Sequence, residues 1–160
     1  DQVMAAALVT AMLLSIGGLI LSVLFGYSAA DSDGVVRHVS LAIFITMVTL
    51  LTHSMAMFYL IGKGKAIREA VTENALSQEF VAEVSRARRP VFSIGTLAIG
   101  ITTVAALIGV TVDTNALPVW VHSVLAYLAI GANLAAFRVA ITAFTTSSRI
   151  VNEVNRLLGD

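Results

Sequence analysis

Cysteine is absent from this sequence. That excludes disulfides, iron–sulfur clusters, thiolate zinc sites and thiol redox catalysis within the chain. Charge is also scarce: Asp, Glu, Lys and Arg make up 12% of the 160 residues, against roughly 25% in an ordinary soluble domain. No acidic residue falls inside any of the long apolar stretches, which argues against an ion-coupled carrier with its usual intramembrane carboxylate. There are only two prolines, Pro90 and Pro118, and neither sits in the middle of an apolar stretch. The discontinuous helices common in carriers are therefore not written here. The one Gly- and Lys-rich segment, Gly62-Lys63-Gly64-Lys65, lacks the spacing of a phosphate loop and reads as a basic helix terminus.

What the chain does have is hydrocarbon: 58% of residues are hydrophobic and the mean hydropathy is +0.89. Four stretches carry it, Val3 to Tyr27, Val35 to Leu60, Pro90 to Val112 and Leu117 to Phe144. Each reaches the length of about 20 residues that a membrane-spanning helix needs. The first lacks a basic leading region and is longer than the apolar core of a cleaved signal, so it reads as a span. The expectation is an all-α integral membrane four-helix bundle, one transmembrane domain over residues 1–160.

The basic residues are unevenly placed. Lys63, Lys65, Arg68, Arg86, Arg88 and Arg89 lie between spans two and three, and Arg149 and Arg156 follow span four, whereas the other two connections hold only Arg37. The positive-inside tendency predicts both termini and the 63–89 connection in the cytoplasm, in a membrane of the bacterial cytoplasmic type. Asp31, Asp33 and Asp113 fall on the outer side, where Tyr27 and Trp120 fit an aromatic belt. The outer connections, Ser28 to Gly34 and Asp113 to Pro118, are short, so their helices are antiparallel neighbours, and Pro118 suits the start of span four. Between spans two and three, helix two is expected to run on to about Val71 and to break near Thr72-Glu73-Asn74. A second, amphipathic cytoplasmic helix then starts at Ser77, with Phe80, Val81 and Val84 on one face, lying on the membrane surface or on a partner. Pro90 then opens span three.

The halves resemble one another. Aligning residues 24–71 with 107–155 sets Leu24-Phe25-Gly26 on Leu107-Ile108-Gly109, His38 on His122, Leu41-Ala42 on Leu125-Ala126, and Lys65 to Val71 on Arg149 to Asn155. This reads as a tandem duplication of a two-helix hairpin, the copies related by an axis along the membrane normal. It predicts that helix four, like helix two, projects beyond the membrane. Small-residue ridges, Gly18-Ser22-Gly26 and Ala98-Thr102-Ala106, allow close helix contact.

The matched histidines are the candidate site. Ala42 and Ala126 each lie one turn below a histidine and leave space for a flat macrocycle. Two imidazoles at one depth in a dry bundle are what a b-type haem takes as axial ligands. His38 and His122 are the expected iron ligands, with Arg37 placed to pair a propionate. His53 lies about 22 Å below His38 along the helix, and its counterpart in the second half is Phe137, so one chain cannot repeat the pair there. Four roles stand open for His53: a ligand completed by Met12, a ligand shared with another subunit, a quinone-binding donor, or a packed polar residue. Asn133 needs a partner at mid-depth, and Thr49 is its expected one. Arg138 is expected to snorkel to the head groups.

In general architecture the chain resembles the four-helix cytochrome b anchors of respiratory enzymes, with no motif that names a family. The sequence thus predicts a haem b-binding electron-transfer subunit, with quinone as a candidate electron partner. The alternatives are a cofactor-free structural or assembly subunit and a small channel or metal-transport module. Expected partners are the bilayer and other membrane subunits or further copies of the chain, with no nucleic acid among them.

Overall fold

The computed structural model describes residues 2–113 and 116–159, all helix and connecting turn with no strand among them. Four helices follow in order, α1 (Gln2–Ser28), α2 (Ser32–Glu73), α3 (Glu79–Asp113) and α4 (Val119–Leu158). All four are long and apolar enough to cross a membrane. At about 1.5 Å per residue, the 42 residues of α2 and 40 of α4 extend to roughly 60 Å, twice the hydrocarbon thickness of about 30 Å. Both therefore project well past the apolar zone at the end where the basic residues collect, and the projection expected of helix four is present.

Local chemistry sets the boundaries. Asp31 caps α2 by accepting the Gly34 N–H at 2.7 Å, a standard N-cap exchange. Gly34 is packed so closely that a Cβ there would lie 3.0 Å from Ala29 Cα. At its far end α2 closes on Asn74, whose Nδ2 donates to Ala70 O at 2.9 Å. Ala75 then takes a left-handed φ of 52° and Leu76 N–H returns to Val71 O at 2.9 Å, the arrangement by which a helix end satisfies its last carbonyls. The break near Thr72-Glu73-Asn74 stands where the sequence puts it. Of the second outer connection, Thr114 and Asn115 lie outside the described residues.

The helices form a ring. α1 packs on α2, α3 on α4, α2 on α3 and α1 on α4, and α2 also touches α4 across the middle, whereas α1 and α3 make no contact among the described residues. The gap between α1 and α3 is where the site lies.

Packing differs along the bundle. Within the apolar zone the buried set is Leu8, Met12, Ala56, Leu60, Val91, Ala140, Ala143 and Phe144, and small residues such as Ala98, Ala136 and Ala140 let backbones approach. At the basic end, Ile67, Val71, Val84, Ile150 and Val154 form a second core. This core lies beyond the apolar stretches, where the hydrophobic effect operates in full and each such side chain contributes about 1.5–3 kcal/mol on burial. Around it, Arg149 pairs with Glu83 and, at 3.4 Å, with Glu153, all partly exposed and so worth little individually.

One expectation is corrected here. The segment Ser77 to Arg89 is not a separate helix on a surface. α3 runs unbroken from Glu79 to Asp113 with Pro90 inside it, and Phe80, Val81 and Val84 pack on α2 and α4 in the second core. A proline inside a helix forgoes one hydrogen bond. The tertiary burial of the preceding turns outweighs that loss, and the Ser93 hydroxyl donates to the carbonyls beside the proline, at 3.4 Å to Arg89 O and 3.3 Å to Pro90 O.

Candidate functional site

Near the end opposite the basic cluster, α2 and α4 bring His38 and His122 face to edge across the bundle. Their ring centres are 6.1 Å apart and their planes are inclined at 74°. Each ring is fixed inside its own hairpin in the same way. His38 Nδ1 meets Ser22 O of α1 at 2.9 Å, and His122 Nδ1 meets Ala105 O of α3 at 3.1 Å. A carbonyl only accepts, so in both rings Nδ1 donates a hydrogen. A metal-ligating imidazole has its second nitrogen tied to the backbone in this way.

Each ring also lies against a glycine, four residues beyond the carbonyl it bonds. A Cβ on Gly26 would stand 3.0 Å from His38 Cε1, and one on Gly109 would stand 3.1 Å from His122 Cε1. Any larger side chain at either place pushes the ring. Both glycines occur in the sequence match between the halves, but their role as ring seats has no signature in periodicity or composition.

The imidazoles line a cavity of about 360 Å³ reached by all four helices. Its walls combine small residues, Gly26, Ala42, Ala105, Ala106, Gly109, Ala126 and Ala129, with larger apolar ones such as Leu19, Val39, Ile43 and Val110 and the hydroxyls of Ser22, Thr46, Thr102 and Ser123. Ala42 and Ala126 are thus where the sequence places them. Arg37 is not: its Nε donates to Asp33 O of its own helix at 3.3 Å, its side chain is exposed, and it does not line the cavity. Placing it beside a propionate followed from adjacency to His38 in sequence, but neighbours on a helix point about 100° apart.

His53 belongs to a different assembly. Its Nε2–H donates to Asn133 Oδ1 at 2.8 Å. Asn133 Nδ2 in turn donates to Thr102 Oγ1 at 2.9 Å and to Ala129 O at 2.8 Å. The three side chains are 4%, 1% and 2% exposed, so one buried network ties α2, α4 and α3 together directly beneath the cavity. The expected partner Thr49 is instead turned to its own helix, donating to Ile45 O at 2.7 Å. Met12 packs with Leu8, Ala56 and Leu60 in the apolar core. Arg138 is exposed on the outside of α4, consistent with snorkelling.

The network makes a stability prediction. Asn133→Leu strands a buried N–H and should cost about 1–3 kcal/mol, read as a lower midpoint in denaturant titration. His53→Leu combined with Asn133→Leu should recover part of the loss, because both partners are then apolar. A neutral Asn133→Leu would contradict the network.

Among the described residues no cluster of three or more His or carboxylate side chains exists. No protein-family model, no curated protein and no solved structure matches the chain.

Proposed function

We propose that the protein is a membrane electron-transfer subunit that holds one b-type haem between His38 and His122. The observation that carries this reading is the spacing of the two rings. A first-row metal takes an imidazole nitrogen at about 2.0–2.1 Å, and the ring centre lies roughly 1.1 Å beyond the nitrogen, so two rings across one metal have centres roughly 6.2–6.4 Å apart. The observed separation is 6.1 Å, with the rings edge to face, so both Nε2 atoms address one metal once one ring turns about its side-chain bonds. Three further features support it: the Nδ1 bonds to backbone carbonyls, the glycine and alanine residues among the cavity walls, and the lack of α1–α3 contact among the described residues.

Bound haem supplies a one-electron couple. The chain's part is to fix both axial ligands, keep water from the metal and set its surroundings. Two protein ligands close the coordination sphere, so the site suits electron transfer and not the binding of small gases. In this reading the bundle is a tandem duplication whose axis passes between the histidines. The basic end is cytoplasmic, and electrons pass to or from a lipid-soluble carrier or a neighbouring membrane subunit.

A cofactor-free assembly subunit is the second reading. It is favoured by a groove of about 510 Å³ at the basic end, lined by α2 and α4 with Ala66, Ala70, Val151 and Val154 among its residues, as a partner helix would require. Colour separates the two. Protein purified from cells supplied with haem should show a reduced-minus-oxidised absorption spectrum of b type between about 400 and 600 nm. A blank spectrum together with a blank haem assay leaves the second reading.

A further inference from the structure

We infer that the Tyr27–Tyr127 pair is the head-group site of a lipid-soluble quinone, bound from the bilayer against the seam between α1 and α4. Its role as electron partner rests on the haem reading above; the binding site itself does not.

The two phenol oxygens are 3.0 Å apart. One O–H is spent on this bond, and neither phenol hydrogen-bonds to any other described residue. The second O–H is left to donate outward. Tyr27 is 65% and Tyr127 54% exposed, beside the exposed apolar side chains of Leu24, Val124 and Leu128. At the membrane interface, where Tyr27 belongs to the aromatic belt, the outward O–H takes an acceptor from water, lipid or a bound molecule. A quinone carbonyl supplies one, and its flat ring suits contact with aromatic faces. The residues of the seam, Val23 and Tyr27 of α1 and Val119, Ser123 and Tyr127 of α4, are all uncharged. Such a surface favours a neutral carbonyl over a phosphate or a fatty acid. Tyr27, Val119 and Ser123 also line the cavity of the imidazole pair. A molecule on the outside of the seam is therefore separated from the cavity by little more than one side chain.

The test uses haem-free protein in lipid nanodiscs, titrated with a short-tailed naphthoquinone. Trp120, the single tryptophan, lies on α4 seven residues from Tyr127 and reports binding by quenching. Saturable quenching is expected, with none from a naphthalene of the same size. Tyr27→Phe and Tyr127→Phe each keep one O–H and should bind within about twofold of the parent, whereas the double variant should bind about three- to tenfold more weakly. The infrared carbonyl band of the bound quinone should shift down in the parent and both single variants, and not in the double. Unchanged binding by the double variant overturns the site, as does equal quenching by naphthalene. Saturable binding seen only when ester lipids are replaced by ether lipids also overturns it, since the lipid ester is then the occupant. Quinone binding by a protein that never takes up haem leaves the site standing and overturns its electron-transfer role.

Discussion

His38→Ala and His122→Ala are each expected to give a folded protein that no longer retains haem, whereas His53→Ala keeps it. The magnitude follows from what each change removes. Loss of an outer-shell partner of a metal ligand lowers affinity about 10–100-fold, so loss of an axial ligand itself should lower haem retention by at least about 100-fold. Both rings are anchored to their own hairpins, through Ser22 O and Ala105 O, and neither hairpin offers a second histidine at that depth. His53 cannot substitute, because its Nε2 is bound to Asn133 and it lies about four turns, roughly 22 Å, along α2 from His38. The measurement is haem per chain after purification. His122→Gly with added imidazole should restore the low-spin spectrum, which a folding defect would not allow. Equal haem loss in His53→Ala would show that the pair is wrongly chosen.

The second large effect is expected at positions that never touch iron. Gly26→Val and Gly109→Val place methyl groups where a Cβ alone would already stand 3.0 and 3.1 Å from the Cε1 atoms of His38 and His122. Overpacking of this kind costs about 1–3 kcal/mol, which at the ligand corresponds to roughly 5- to 150-fold in haem affinity. The corresponding Ala variants need only a few tenths of an ångström of ring movement and should retain haem with a shifted spectrum. Transfer of haem to a competing acceptor protein, timed for each variant, checks both. If Gly109→Val holds haem as firmly as the parent, the ring is not seated on α3 as described.

The spans were legible because a membrane helix declares itself by length and apolarity alone, and α1 to α4 follow the four apolar stretches. The pairing of His38 with His122 was legible for a different reason: the match between the halves sets each histidine one turn before an alanine, Ala42 or Ala126, and shortly after a matched glycine, Gly26 or Gly109. The rest depends on contacts between residues far apart in sequence. Asn133 reaches His53 and not Thr49, a choice set by how α2 and α4 cross and not by any periodicity. Arg37 precedes His38 in sequence and points elsewhere. Pro90 reads locally as the start of a helix, yet the burial of Phe80 and Val84 against Ile67 and Ile150 carries α3 straight through it. The two glycines that seat the rings were present in the match between the halves and the two carbonyls lie just outside it, but nothing in a sequence distinguishes a glycine that seats an imidazole from one that packs against a helix.

The angle between the rings provides the most direct test. Parallel imidazole planes split the iron d orbitals that lie across them, whereas crossed planes keep those orbitals nearly equal in energy. The planes are inclined at 74°, and the Nδ1 bonds to carbonyls of two different hairpins would keep them crossed with haem bound. Electron paramagnetic resonance of the ferric protein at low temperature should therefore show a strongly anisotropic low-spin signal with a single line at high g. A resolved rhombic low-spin trio, a high-spin signal, or no haem signal at all would contradict the account.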